Sequence, residues 1–218
     1  MSSKIISTPT FITPEECSNI IKIITDTVSS ETTTEPTWEY HPWGRVQIDN
    51  KIRAKALKSS IRRHDLYHTE IIVRCIQQHV SYNFKSLQDR ISDKIKLDHK
   101  CGDIYPEYTI LQAGYEGDNC PRHSDSKKYD DATGRWIPNH TPNHFMSVCL
   151  YINECGVDYT GGELVFPEYD IRIQPSTGLL ISFPSDELHE HLVTQITSGV
   201  RYAILCWFTN KVEYMEKL

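Results

Sequence analysis

Long apolar runs, closely spaced cysteines and a targeting signal are all missing from this sequence of 218 residues. No apolar stretch approaches the roughly 18–20 residues that cross a bilayer, so we expect no membrane-embedded segment. The amino-terminal MSSKIISTPTFITPEE has no sustained apolar core before a small-residue cleavage site, so we expect no signal peptide. The seven cysteines include no CxxC pair, which argues against a disulfide framework or a thiolate zinc site. We therefore expect a cytoplasmic protein.

Positive charge is also scarce. The chain has 23 Lys and Arg against 29 Asp and Glu, a net charge of −6. Nucleic-acid binding needs concentrated Lys and Arg, whereas the basic clusters here, such as Arg62-Arg63 and Lys127-Lys128, are two residues long. We expect no nucleic-acid partner and no membrane partner, and the sequence carries no signal for an oligomeric state.

Two helices are predicted in the first hundred residues. Thr13 is a capping residue, Pro14 suits the first helical position, and Glu16 completes a capping box. An isoleucine-rich stripe then continues to about Val28. A second helix is predicted over residues 69–86, where apolar residues recur at helical spacing.

The remaining pattern is that of short strands. Residues 38–49 predict one or two strands with a turn at 42–44. From residue 104, the apolar runs bounded by turn residues are YTILQAGY, HFMSVCLYI, GELVF, IRIQP, GLLISF, LHEHLV and RYAILCWF. Such a series predicts a sandwich, jelly roll or barrel. We expect one domain over residues 1–218, in which residues 1–100 give mainly helical support and lid strands to a β core at 101–212.

The stretch PRHSDSKK places His123 and Asp125 two residues apart. On an extended strand they would face the same side about 7 Å apart, which suits two ligands of one metal ion but also two unrelated surface residues. A third ligand is available at His189 or His191, and the ten-residue spacing from His191 to Arg201 favours His191.

Arg201 begins the strongly apolar run RYAILCWF. A buried guanidinium is costly without a counter-charge, so Arg201 should meet either a protein carboxylate or an anionic ligand. Two histidines and one carboxylate on a metal leave open positions, the arrangement of non-haem Fe(II) oxygenases. An arginine deep in the fold can hold the far carboxylate of 2-oxoglutarate by a forked pair.

With these residues in view, the sequence resembles the prolyl-hydroxylase branch of the 2-oxoglutarate/Fe(II)-dependent dioxygenases. The resemblance covers about residues 104–209. It rests on HSD at 123–125, YIN at 151–153, GGELVFP at 161–167, QPSTGLLISFPS at 174–185, HLVTQITSGVRY at 191–202 and Trp207.

The resemblance implies a mainly β fold with supporting N-terminal helices, a double-stranded β-helix (jelly roll) with iron at its open end. It implies iron(II) held by His123, Asp125 and His191, with 2-oxoglutarate and dioxygen as co-substrates and ascorbate as an optional addition. Further roles follow for four residues: Arg201 and Tyr151 on the far carboxylate of 2-oxoglutarate, Tyr115 close to the co-substrate, and Trp207 on the substrate side.

The function implied is hydroxylation of prolyl residues in a peptide or protein. Free proline, another amino acid or a small molecule is the alternative substrate, and a non-catalytic jelly-roll module that binds a ligand or metal is the alternative of another class. Residues 38–50 and 126–143 are the expected lids, with Arg45 and Trp136 as candidate substrate contacts. A solvated strand position is the alternative for Arg45. For His140 and His144, which lie near the 126–143 insertion, we expect a position at the surface or a strand edge, with an approach to the site as the alternative.

Overall fold

The first helix begins as its capping residues predict. The computed structural model describes residues 5–30, 39–40, 46–47 and 84–215, and helix α1 spans Pro14–Ser30. The backbone N–H of Thr13 donates to Glu16 Oε2 at 2.8 Å, and the N–H of Glu16 donates to Thr13 Oγ1 at 3.1 Å. This reciprocal pair confirms the capping box and fixes where the helix starts.

A second helix, α2, spans Phe84–His99. The helix predicted over residues 69–86 lies outside the described residues except for its last three, which begin α2. Leu87, Ile91 and Ile95 recur every four residues along α2 and are buried, so they form one apolar face. Within the described ranges, no helix is long and apolar enough to cross a membrane.

The described part of the chain is otherwise built mainly from strands, most of them short. They are β1 Ile6–Thr8, β2 Glu39–Tyr40, β3 Val46–Gln47, β4 Tyr105–Tyr115, β5 Cys120–His123, β6 Lys127–Asp130, β7 Arg135–Pro138, β8 Met146–Tyr151, β9 Tyr159–Gly161, β10 Leu164–Phe166, β11 Ile171–Ile173, β12 Leu180–Pro184, β13 His191–Val193 and β14 Ile196–Thr209. The paired β2 and β3 confirm two strands within 38–49, and the predicted turn at 42–44 lies outside the described residues.

Two antiparallel sheets carry the fold. The larger has the order β1-β12-β8-β14-β4 with β9 paired to β14, and the smaller has the order β11-β10-β13-β5. Strands β6 and β7 form a separate hairpin within the predicted lid at 126–143. The mainly β core with helices on one side is therefore confirmed.

Two buried hydrophobic clusters lie on opposite faces of β14. Its residues 204, 206 and 208 pack with α1 and α2, whereas residues 203, 205 and 207 pack between the two sheets. Because side chains alternate along a strand, Arg201 falls on the inner face with residues 203, 205 and 207. The alternation therefore directs a cation into the space between the sheets.

Candidate active site

Strand pairing brings His123 and His191 together. Strand β13 pairs with β5 so that His191 lies directly opposite His123. Their ring centroids are 4.4 Å apart. Two residues far apart in sequence are thus cross-strand neighbours at the edge of the smaller sheet.

Asp125 completes a three-residue cluster. Strand β5 ends at His123, so Asp125 stands in the bend that follows and not on the strand expected from the sequence. Its carboxylate nevertheless lies 3.5 Å from His123 Nε2 and 3.8 Å from His191 Nε2. The three ligand atoms all lie within 4.8 Å of one another, as ligands about 2.0–2.2 Å from one shared ion require after small adjustments.

Both imidazoles present Nε2 to the centre of this cluster. His123 Nδ1 donates to the carbonyl of Pro121 at 2.8 Å, and His191 Nδ1 donates to the carbonyl of His189 at 3.1 Å. Since a carbonyl only accepts, each Nδ1 carries the hydrogen and each Nε2 of the neutral ring keeps its lone pair. The donor set and its tautomers therefore fit an iron(II) ion.

The environment of His123 favours a cation. Burial works to lower the pKa of His123, but hydrogen bonds and charge from Asp125 and Cys120 outweigh it and raise the pKa to about 10. The same arrangement that stabilises a proton on the ring stabilises a metal ion in its place, because both satisfy the buried carboxylate.

A serine pair orients the Asp125 carboxylate. Ser147 on β8 donates to Asp125 Oδ2 at 2.6 Å, and its oxygen lies 2.6 Å from the hydroxyl of Ser185. Since Ser147 uses its hydrogen on the carboxylate, Ser185 donates in turn to Ser147. This chain holds one carboxylate oxygen and leaves Oδ1 directed at His123.

We predict that Ser147→Ala weakens iron(II) binding about tenfold, because loss of a hydrogen bond that orients a metal ligand typically costs roughly 10–100-fold in affinity. Calorimetric titration with iron(II) under anaerobic conditions measures the effect. Ser182→Ala is the matched control, since Ser182 is a buried serine bonded to His99 and not to the cluster. Equal iron affinities for the two variants would contradict the role given to Ser147.

Arg201 lies between the sheets, 5% exposed, as its place on β14 predicts. Its guanidinium donates to the Gly162 carbonyl at 3.2 Å and to Gln112 Oε1 at 2.6 Å, while the buried Nε–H has no hydrogen-bond partner. Among the described residues, no carboxylate forms an ion pair with it. A buried guanidinium with neutral partners and an unsatisfied donor fits an anionic ligand, such as the far carboxylate of 2-oxoglutarate.

The paired glycines of the GGE motif let the backbone approach Arg201. Gly161 has a φ of +77°, and a Cβ there would lie 2.0 Å from the Gln195 carbonyl oxygen. At Gly162 a Cβ would lie 3.2 Å from Arg201 Cδ. The motif therefore does more than turn the chain, since it makes room for the arginine side chain.

Tyr151, the first of the two candidate tyrosines, lies inside the fold. Tyr151 is 1% exposed and lines the same inner cavity as Arg201, His123 and His191. Complete burial raises the pKa of the Tyr151 phenol, and the Arg201 charge opposes only part of that rise.

Tyr115 does not reach this cavity. On β4 the even-numbered Gln112 lines the cavity with Arg201, whereas Ala113 and Tyr115 pack on the helix side of the sheet. Tyr115 is an odd number of residues from Gln112 and so faces the opposite way. The structure therefore contradicts the placement of Tyr115 beside the co-substrate, and Gln112 stands beside Arg201.

A cleft of about 660 Å³ opens in front of the cluster. Trp207 and Trp136 both line this cleft, and Trp136 on the β6–β7 hairpin packs edge-on against Tyr129 at 5.6 Å between ring centroids. Both candidate substrate contacts thus border the open side of the cluster. Arg45 lies outside the described residues.

His144 is buried at the cleft, so the structure favours its alternative, an approach to the site, over the expected position at the surface or a strand edge. It is 8% exposed and its ring lies nearly parallel to that of Trp207, with centroids 5.4 Å apart. Its Nδ1 lies 2.9 Å from Glu107 Oε2. His140 is exposed, as expected. Sequence reasoning missed Ser147 and Gln112. Their only signal in the sequence is that strand alternation turns both side chains towards the inner face of predicted strands.

His189, the competing ligand, is directed elsewhere. It ends a short 3₁₀ turn, and its Nδ1 bonds Asp186 Oδ1 at 2.5 Å. The Asp186–His189 hydrogen bond helps keep the pKa of the Asp186 carboxyl below its usual value although partial burial opposes this. The preference for His191 over His189 agrees with this geometry.

The sequence of this chain is similar to those of known oxygenases. Residues 109–209 match the family model described as the 2OG-Fe(II) oxygenase superfamily. Human prolyl 3-hydroxylase 2 is 36% identical over 104 residues, which are 44% of this chain and 14% of that protein. Human prolyl 3-hydroxylase 1 is 30% identical over 115 residues, which are 49% of this chain and 15% of that protein. The similarity thus covers a small part of these longer relatives.

Solved structures with low sequence identity share the fold. A viral collagen prolyl hydroxylase from Paramecium Bursaria Chlorella virus-1 has a TM-score of 0.55 at 16% identity, covering 95% of this chain and 96% of that one. A prolyl-4-hydroxylase from Pseudomonas putida has a TM-score of 0.57 at 16% identity, covering 96% and 94%. The predicted jelly roll is thereby confirmed. Residues 109–209 of this chain therefore resemble the 2OG-Fe(II) oxygenase superfamily, and the chain is prolyl-hydroxylase-like in sequence and fold.

Proposed function

We propose that this protein is an iron(II)- and 2-oxoglutarate-dependent hydroxylase that acts on prolyl residues of a peptide or protein. The observation that carries the proposal is the inner cavity lined by both His123–Asp125–His191 and Arg201. A module that only binds a metal does not require a buried guanidinium without a counter-charge. An anionic co-substrate that also reaches the metal requires both the guanidinium and the metal-binding cluster.

Each part of the cavity has a task in this reaction. His123, Asp125 and His191 hold iron(II), and Arg201 with Gln112 holds the far end of the keto acid. Iron(II) supplies the redox chemistry by which 2-oxoglutarate and dioxygen become succinate, carbon dioxide and one oxygen atom inserted into a substrate C–H bond. Apolar side chains of the inner cluster line the same cavity and exclude water from it.

The open cleft supports a peptide substrate. Residues of the β6–β7 hairpin line it together with Trp207, and its walls carry Tyr108, Tyr129 and Trp136. Aromatic-lined grooves suit proline-containing segments, which are already extended and lose little entropy on binding. The relatives named as prolyl hydroxylases point to the same substrate class.

We predict that the protein, supplied with iron(II), 2-oxoglutarate and oxygen, adds one oxygen atom to proline-containing peptides. Mass spectrometry of a peptide panel, with free proline and other amino acids in parallel, identifies the product. Ascorbate is included and omitted in matched reactions, because its optional role is part of the proposal. Chelation of the metal should stop the reaction.

The alternatives give different results in the same experiment. If only free proline is hydroxylated, the substrate is a small molecule and not a peptide. Succinate formation without any modified amino acid would keep the dioxygenase and reject proline. Iron and 2-oxoglutarate binding without succinate would favour the non-catalytic module.

A further inference from the structure

Three aromatic rings form a platform on the cleft wall. Trp207 stacks on Tyr108 with centroids 5.8 Å apart and planes at 25°, and it also meets His144 with planes at 15°. All three side chains, defined here as the ring platform, border the cleft that opens on the metal-binding cluster. The platform therefore faces the place where a substrate must lie.

One edge of the platform is polar and fixed in orientation. Glu107 accepts a hydrogen bond from His144 Nδ1, so one ring hydrogen lies on Nδ1 and the lone pair of the neutral tautomer lies on Nε2. Among the described residues Nε2 has no hydrogen-bond partner, yet it is not enclosed by protein as His189 Nε2 is. A buried histidine held by a half-buried glutamate, with its second nitrogen free of protein partners in the described part of the chain and at the wall of a substrate cleft, is a built acceptor site.

We propose that His144 is a substrate-positioning residue, whose Nε2 accepts a hydrogen bond from the peptide N–H that follows the target proline while the proline ring packs on the platform. The inference rests on the proposed function and adds the contact that sets the substrate's register. Proline has no N–H of its own, so the nearest backbone donor on its carboxyl side belongs to the next residue. A second proline at that position removes this donor.

The first test replaces the ring but keeps its shape. His144→Phe retains an aromatic ring beside Trp207 and removes the nitrogen. The same substitution at His189 is the control, because His189 also pairs with a carboxylate and stacks on an aromatic ring but does not line the cleft. The substrate is a blocked Ala-Pro-Gly repeat peptide, with iron(II) and saturating 2-oxoglutarate. We expect His144→Phe to raise KM for the peptide roughly three- to tenfold, as for one lost hydrogen bond. We also expect it to raise the ratio of succinate to hydroxyproline clearly above the wild-type ratio.

The second test removes the partner from the substrate. In a matching peptide, N-methylglycine replaces each glycine, so the N–H after each proline is lost. The wild type should show a rise in KM similar to that caused by His144→Phe, while the variant should show little further change. Such non-additivity would show that the His144 nitrogen and the peptide N–H form one contact. A purely structural role of His144 would not produce it.

Different failures have different meanings. If the wild type hydroxylates the peptide and His144→Phe matches it in KM and in the succinate ratio, this inference is wrong and the proposed function stands. Equal effects of N-methylation in both proteins would also overturn it. If the wild type forms succinate but hydroxylates no proline peptide, the prolyl substrate fails, and this inference fails with it.

Discussion

Replacing His123, Asp125 or His191 by alanine is expected to abolish turnover and to weaken iron(II) binding. The three ligand atoms lie within 4.8 Å of one another, and removing one leaves two ligands for an ion that gains its affinity from three. Anaerobic calorimetric titration measures binding, and succinate release measures turnover. Each variant should retain the wild-type circular dichroism spectrum.

His189→Ala is the control for this set. His189 has the same residue type, lies two positions from His191, and is buried, but its Nδ1 faces Asp186. The variant should bind iron(II) with wild-type affinity, while loss of the Asp186 contact should lower its unfolding temperature, which is measured in parallel. Loss of iron by His189→Ala together with its retention by His191→Ala would reverse the ligand assignment.

Arg201→Lys is expected to raise the 2-oxoglutarate concentration for half-maximal rate by roughly tenfold or more. Lysine keeps the positive charge but loses the planar fork and its reach, and each decade in affinity corresponds to about 1.4 kcal/mol. A charge-assisted hydrogen bond contributes about 1.5–3 kcal/mol, so the loss of one such bond is enough to cause a tenfold change. Steady-state kinetics in 2-oxoglutarate measure the change.

Two further measurements make the Arg201 result specific. Iron(II) affinity without 2-oxoglutarate should be unchanged, because the contacts of Arg201 are with Gly162 and Gln112 and not with the cluster. Arg172→Lys is the matched control, since Arg172 is an exposed arginine paired with Glu163. A folded Arg201→Lys protein with an unaltered requirement for 2-oxoglutarate would make Arg201 a structural residue.

Much of the site follows from strand periodicity. The alternation in RYAILCWF separates residues 203, 205 and 207 on the inner face from residues 204, 206 and 208 on the helix face, so the sequence alone can place Arg201 inside. His191 is identifiable by its spacing to Arg201 and by the family resemblance. The pairing that sets His191 against His123 is non-local, and no feature of either segment alone predicts it.

Two wrong predictions have different physical causes. The family resemblance that places Tyr115 near the co-substrate does not take account of side-chain alternation along β4. Tyr115 is three residues from Gln112, so its side chain faces the helix side of the sheet. His144 begins the apolar run HFMSVCLYI but precedes β8, so strand alternation does not place its side chain. Its burial depends on contacts with Glu107 and Trp207, which are remote in sequence.

In the proposed reaction, one cavity joins an iron site to a 2-oxoglutarate site. The most direct test is simultaneous measurement of oxygen uptake and succinate release by the iron(II)-loaded protein with 2-oxoglutarate. We predict one succinate for each dioxygen consumed, with no succinate from His191→Ala and a full yield from His189→Ala. Absence of succinate from the iron-loaded wild type with every peptide and amino acid supplied would contradict the proposed reaction.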